Sequence, residues 1–339
     1  MSENITIKDI AKLAKVSYST VSRSLNDSPL VSEITKNKVI KIAKDLNFEF
    51  NANARGLILS KSNAIALVLS NKFSYLDTNS YQGLLLKSYL DIIDKKGFDL
   101  ILLKQQDFIN TNNIVIQHIK SKKIDGLIFL VENPNKETLS IINKLKFPVI
   151  FVHYPPTPEL KNFNIIYSDY YKGGRLLADH LLKKNHIKFT ILCNDKYNEE
   201  YYLREKGFCD EIKRHGGIIN KLSCELNFFS AVECCEENIE SITKTTALFG
   251  INDQIALAAM KVLSEHEIKI PNDIAIVGYD NSELSMYSSP SLTTINLNRD
   301  QMVQSCIENL IIQIKNANKK VIPNEIIILD PLLMERASS

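Results

Sequence analysis

The chain has 339 residues, of which 45% are hydrophobic and 24% charged, and its formal net charge is +2. That balance suits one substantial core or two smaller ones and excludes a disordered chain, collagen and a disulfide-built miniprotein. The opening MSENITIKDIAKLAK carries acids and no apolar run of signal-peptide length, and no later stretch offers about 18 uncharged apolar residues, so the sequence reads as cytoplasmic with no membrane partner.

Charge is unevenly placed. Through Ser62 there are 10 basic and 6 acidic residues, a local +4, which leaves −2 for the remaining chain. A small basic head on a mildly acidic body suits a nucleic-acid-reading module joined to an independent domain, though a solvated surface gives the same count. The cysteines Cys193, Cys209, Cys224, Cys234, Cys235 and Cys306 show no CxxC spacing, and they read as free thiols. The histidines form neither HxxxH nor HExxH, and neither GxSxG nor a GxxxxGK[ST] phosphate loop occurs. No catalytic residue, metal or cofactor is assigned, and the chain reads as a non-enzyme.

In chain order, Thr6 is placed to cap a helix with Asp9 in its first turn and with Ile7, Ile10, Ala11 and Ala14 at helical spacing. Ser17 is placed to cap a second helix, in which Val21 and Leu25 face inward while Tyr18, Ser19, Ser22 and Arg23 project from other faces. Asn26, Asp27, Ser28 and Pro29 end it. Ser32 and Thr35 start a third, with Val39, Ile42, Ala43 and Leu46 inward and Lys36, Lys38, Lys41 and Lys44 on its wetter sides. Two helices joined by a tight connection, the second with a hydroxyl-rich leading turn, have the geometry of a helix-turn-helix reader, or of a generic three-helix cap.

The run KDIAKLAKVSYSTVSRSLNDS resembles, almost position by position, the head of the lactose and galactose repressor family of bacterial transcriptional regulators. That resemblance implies base contacts from Tyr18, Ser19 and Arg23, with Arg23 able to fork onto guanine. It implies phosphate contacts from Thr6, Ser17, Thr20 and Ser22. Lys15 stands where the family often has glycine; if left-handed, its side chain costs roughly 1 kcal/mol. Phe50 stands where most members have proline, so entry to the next segment is less rigid.

Asn51 to Leu57 is too short, with Gly56 inside it, to hold a helix alone, and by composition it reads as a linker. In the family it corresponds to the hinge helix, which implies minor-groove contact by Ala54 and Leu57. Leu57 would wedge between central base pairs and kink the duplex.

Beyond Asn63, apolar runs of strand length alternate with amphipathic stretches: AIALVLS, a helix near Leu84 to Lys95, FDLILL, a helix near Ile114 to Ser121, DGLIFL, a helix near Leu139 to Lys144, and PVIFV. A second series follows, with helices at Gly173 to Lys184, Arg204 to His215 and Ile255 to His266 between the strands FTILC, TALFG and DIAIVGYD. This rhythm predicts an α/β fold of two doubly wound parallel-sheet lobes. No GxGxxG follows the first strand, and ligands of such sheets lie beyond the carboxyl ends of the strands. Strand-end candidates are Ser70, His153, Asn252, Asp253 and Asp280, any of which also suits a cap or turn.

The segments SDYYKGGRLLADHLLKKNH, YLREKGF, GINDQIALAAMKVL, IPNDIAIVGYDNSELS and PSLTTI resemble, in order, landmarks of the same family's core, which is similar to the periplasmic sugar-binding fold. The resemblance thus spans the chain: a helix-turn-helix head at 1–50, a hinge helix and linker at 51–62, and a periplasmic-binding-protein-like core at 63–339. It implies a lobe nearer the DNA at about 63–163 plus 291–322 and a distal lobe at about 164–290 plus 323–339. Crossings fall near Asn164, Pro290 and Pro323. It also implies an effector site made by Ser70, His153, Arg204, Phe229, Asn252 and Asp280, with Phe228 beside Phe229 leaving that aromatic position uncertain by one.

No heptad tail precedes the end of the sequence, so a homodimer on a near-palindromic double-stranded operator is the expected assembly. The expected activity is repression controlled by a small effector, a carbohydrate first. A sugar phosphate or purine stays open because Lys72, His153 and Arg204 can offset negative charge, and activation or corepression would use the same parts. A sugar-binding transport protein explains the body without the head, and an enzyme would need a positioned acid, base or phosphate loop that no motif supplies.

Overall fold

The computed structural model describes residues 5–25, 28–46, 48, 62–69, 81–104, 113–130, 136–153, 155–158, 160–196, 198–317 and 324–339. The candidates Ala54, Leu57 and Ser70 lie outside these, as do Lys72 and the interior of the 51–62 segment. The chain divides into two compact units, Met1–Asn63 and Ala64–Ser339.

In the first unit, helices α1 (Ile7–Ala14), α2 (Tyr18–Leu25) and α3 (Glu33–Asp45) close over Ile10, Ala14, Val21, Val39 and Ala43. Short helices of this kind are marginal alone and are held by their caps and this shared core. Thr6 and Asp9 form a reciprocal capping box on α1, the Ser17 hydroxyl accepts the Thr20 N–H at 3.1 Å, and Ser32 accepts the Thr35 N–H. Lys15 ends α1 in the left-handed region at φ 57°, ψ 45°, the conformation that glycine takes more easily. This turn makes the connection to α2 short.

In the second unit, a parallel six-stranded sheet has the order β11-β5-β4-β3-β1-β2. Its strands are β1 (Ala64–Leu69), β2 (Asp99–Lys104), β3 (Gly126–Leu130), β4 (Val149–Val152), β5 (Asn164–Ser168) and β11 (Ile326–Leu329). Strand β1 is buried throughout, so its alternation divides two cores. Ile65 and Leu67 face α4 (Tyr81–Lys95) and α13 (Arg299–Asn316), while Ala66 and Val68 face α5 (Ile114–Lys120) and α6 (Lys136–Leu145).

The second lobe is a parallel four-stranded sheet of order β7-β6-β8-β9: β6 (Lys188–Cys193), β7 (Ile218–Ser223), β8 (Ala247–Gly250) and β9 (Ala275–Val277). Helices α7 (Tyr170–Lys183), α8 (Glu199–Arg214), α9 (Phe228–Glu237), α10 (Ile239–Ile242), α11 (Asp253–Glu265) and α12 (Glu283–Tyr287) accompany it. Strand β10 (Thr294–Asn296) pairs antiparallel with β12 (Leu332–Met334), and Thr293 bridges to Val277 at the end of β9.

The expected lobe limits need correction. Strand β5 pairs with β4, Ile150 opposite Asn164, so the first lobe runs through Ser168 and the chain leaves it where Asp169 caps α7. The second passage lies at 296–299, after β10 and before α13, because Thr293 to Ile295 still bond to the β9 end. Strand β11 pairs with β5, so 326–329 belongs to the first lobe, and the chain returns to the second from β12 onward, where Ser338 bonds to Ile276.

Helices α7 and α8 pack unusually closely. A Cβ on Gly174 would lie 2.1 Å from the Arg204 carbonyl oxygen, and one on Gly207 would lie 2.0 Å from that of Tyr171. Only glycine lets the backbones approach so far, and this contact fixes where Arg204 sits.

Candidate functional sites

On α2, Tyr18, Ser19 and Arg23 are exposed, Tyr18 by 54%. The leading turn is tied internally: the Ser17 hydroxyl lies 2.8 Å from those of both Ser19 and Thr20. Thr6 is exposed, but its hydroxyl donates to Asp9 at 2.6 Å and its N–H to the same oxygen at 2.8 Å. These bonds hold the Asp9 carboxyl below its ordinary value. Ser22 is only 8% exposed, because it falls beside Val21 on the side of α2 that meets the core. The structure therefore leaves it little surface for a phosphate.

In the second unit the candidate site gathers around Arg204. The side chain rises from α8 and is 1% exposed, with Nη1 at 2.8 Å from the Asp280 carboxylate and donating to the Ile251 carbonyl at 3.2 Å. Nη2 pairs with Glu200, one turn earlier on the same helix. The guanidinium lies 4.1 Å from the Tyr279 ring centroid, 5.0 Å from that of Tyr201 and 5.4 Å from that of Tyr170. A planar, weakly hydrated cation suits such ring faces better than an ammonium would. Nε is buried without a hydrogen-bond partner, so this cation has a donor to spare. Burial raises the Asp280 carboxyl against the pull of Arg204.

His153 ends β4 in the left-handed region at φ 70°. Its Nδ1 lies 2.9 Å from the Tyr170 hydroxyl and its Nε2 3.2 Å from that of Tyr81, and the Tyr170 hydroxyl also donates to the His153 carbonyl at 3.4 Å. With that hydroxyl's proton directed to the carbonyl, Nδ1 carries the ring proton and Nε2 accepts from Tyr81. Burial and the nearby Arg204 push the imidazole down to about 3, so it is uncharged near neutrality and cannot offset an anion. His153 and Tyr81 from the first lobe thus meet Tyr170 and Arg204 from the second.

Asn252 is 8% exposed at the end of β8, and its side-chain oxygen accepts the Ile255 N–H at 2.9 Å, capping α11. Phe229 stands 78% exposed on α9, edge-on to Phe228 at 6.0 Å, and is not among the rings on Arg204. Phe228 instead packs against the second lobe's core. The structure brings together His153, Arg204 and Asp280, with Asn252 at the neighbouring strand end, and leaves Phe229 outward.

Sequence reasoning missed Glu200, Tyr81, Tyr170, Tyr201 and Tyr279. Glu200 had a signal, since it precedes Arg204 by one helical turn in NEEYYLRE. Tyr201 precedes Arg204 by three residues on the same helix, whereas Tyr81, Tyr170 and Tyr279 come from other elements and had no local signal.

Residues 6–51 match the family described as bacterial regulatory proteins, lacI family, and residues 178–339 match the periplasmic binding protein-like domain. The HTH-type transcriptional repressor PurR of Photobacterium profundum is 27% identical over 319 residues, covering 92% of this chain and 93% of that protein. The Ribose operon repressor of Escherichia coli (strain K12) is 27% identical over 338 residues, covering 98% of this chain and 99% of that one. Among solved structures, the Lac repressor dimer bound to operator and the anti-inducer ONPF shares the fold, with a TM-score of 0.80 at 23% identity over 99% of each chain. With head and body matched in order along the sequence, the chain belongs to the lacI family of bacterial regulatory proteins, whose opening helices it resembles so closely.

Proposed function

We propose that the chain is a cytoplasmic transcriptional repressor that binds a near-palindromic operator as a homodimer and releases it when a small carbohydrate occupies the site around Arg204. The observation that carries this reading is the pairing of an exposed Tyr18, Ser19 and Arg23 on α2 with a buried polar group drawn from both lobes of the body. Base edges need exposed donors on a helix that fits the major groove, and a ligand that bridges two lobes biases their arrangement. A regulator of this kind has no catalytic role.

In this reading Ser17, Thr20 and Thr6 fix the head on phosphates, and Ala54 and Leu57 enter the minor groove. Leu57→Ala should then reduce the operator bend while leaving the effector titration intact. Arg204, Asp280 and Asn252 supply donors and acceptors for hydroxyl groups, and Tyr279 and Tyr201 flank the same guanidinium. Glu200 and Asp280 already share the cation, which favours an uncharged polyol over a phosphate.

The test is binding of the purified chain to fragments of its own promoter region at fixed salt, titrated with neutral sugars, sugar phosphates and purines. D-ribose is the first sugar of the panel, since one relative is named for the ribose operon. Release by one neutral sugar supports the reading. Tightening would reverse the sign of the coupling, and absence of sequence-specific binding would overturn the DNA role.

A further inference from the structure

The carboxylate of Asp280 reaches Arg204 from a turn that its own sequence disfavours. Asp280 and Asn281 are consecutive non-glycine residues with φ of 114° and 49°. Two such residues in a row persist only where the surroundings over-determine them. Those surroundings converge on Asp253, the first residue of α11 and 1% exposed.

Asp253 holds both ends of the turn. Its N–H donates to the Tyr279 carbonyl at 2.7 Å, and its Oδ2 accepts the Ser282 N–H at 2.6 Å. Its Oδ1 accepts the Thr294 hydroxyl, and that hydroxyl oxygen accepts the Asn281 N–H at 3.2 Å. Gly278 leaves room for this seat, since a Cβ there would lie 2.4 Å from Asp253 Oδ1. The Asp280 N–H donates to the Ile295 carbonyl at 3.0 Å. On the outer flank Arg336 donates to the Asn281 side chain and, at 2.7 Å, to the Leu292 carbonyl. A buried carboxylate is costly unless its oxygens are used, and here one accepts the Ser282 N–H and the other the Thr294 hydroxyl, both bearing on the same turn.

We propose that Asp253, acting through Thr294 and the Ser282 N–H, is a positioning residue: it fixes the turn that carries Asp280 to Arg204, without itself touching the effector. The consequence for ligand binding rests on the effector site proposed above, whereas the positioning does not. Thr294 is part of the same device, because its hydroxyl is the link between Asp253 and Asn281.

The test uses the full chain and three variants, Asp253→Asn, Thr294→Val and Thr294→Ser. Crystal structures give the Arg204 Nη1 to Asp280 Oδ1 distance, now 2.8 Å. The amide of Asp253→Asn and the methyl of Thr294→Val should each open it beyond about 4 Å, the limit of an ion pair, and Thr294→Ser should restore it by keeping the hydroxyl. An unchanged distance in Asp253→Asn and Thr294→Val would overturn the proposal. Should Asp253→Asn fail to fold, Thr294→Val decides alone, since it preserves side-chain shape. Calorimetry with D-ribose as probe should show affinity weakened about tenfold in Thr294→Val and recovered in Thr294→Ser. A wild-type chain that ignores D-ribose would exclude that sugar as the effector and move the calorimetry to the panel sugar that releases operator, with the distance still deciding the positioning.

Discussion

Arg204 and Asp280 meet at 2.8 Å while Tyr279, the residue before Asp280, lays its ring 4.1 Å from the same guanidinium. One two-residue segment therefore supplies both the charge and the aromatic face for a cation that is 1% exposed. Breaking such a buried pair by removing one member is far more costly than the pair is stabilising, because the orphaned charge stays buried.

Arg204→Met should thus destabilise the body by about 3–5 kcal/mol, read from denaturant unfolding of the variant against wild type. Without the cation, Asp280 loses the pull that opposes burial, so its folded-state carboxyl rises further above its unfolded value. A raised carboxyl stabilises the fold at low pH and loses that contribution as pH rises, so the deficit should be larger at alkaline than at acidic pH. An equal deficit at both would place the cost in lost packing instead.

Arg23→Ala should weaken operator binding by about 1–3 kcal/mol and leave binding to random duplex nearly unchanged, because a base contact carries sequence information and a phosphate contact does not. Competition titrations with operator and random DNA at one salt concentration separate the two. Equal losses on both duplexes would assign Arg23 to the backbone.

Lys15→Gly relieves the left-handed residue at the end of α1. The gain should be about 1 kcal/mol, seen as roughly fivefold slower hydrogen exchange of the α1 and α2 amides that exchange by opening of the whole head. The greater freedom of glycine in the unfolded chain works against this gain, so no change would mean that the two effects are equal.

His153 should make the body acid-sensitive. Its imidazole is pushed from 6.5 down to about 3 by burial and Arg204, so below 6.5 the unfolded chain binds a proton that the folded chain refuses. Stability attributable to this group is complete above 6.5 and is lost as pH falls towards 3, with a limiting slope of about 1.4 kcal/mol per pH unit. Asp253, whose carboxyl burial lifts to about 6, contributes with the opposite sign. The comparison is therefore wild type against His153→Gln over the same pH series, in which the aspartate contributions cancel. Parallel curves would mean that His153 titrates normally in the folded chain.

Much of the architecture was legible because helix and strand periodicities are local. Three capped amphipathic stretches named α1 to α3, and alternation of strand-length apolar runs with helices named the doubly wound lobes. Lobe membership was not legible: NIIYS was not among the runs read as strands, and nothing local to it or to IIIL records that β5 pairs with β4 and that β11 then pairs with β5. The resemblance raised a left-handed Lys15, because the family often has glycine there, whereas the burial of Ser22 depends on how α2 turns against the core.

The sequence by itself determined the chemistry available: a hydroxyl-rich helix bearing Arg23, strand ends bearing His153, Asn252 and Asp280, and a helix bearing Arg204. Only the tertiary structure decided which of these meet. Arg204 reaches Asp280 because glycines draw α7 against α8 and because Asp253 holds a disfavoured turn in place. His153 is neutral because Tyr81 and Tyr170, from separate elements, enclose it beside a cation. Contact between residues far apart in the chain depends on the packed backbone, and so does the desolvation that sets their charge.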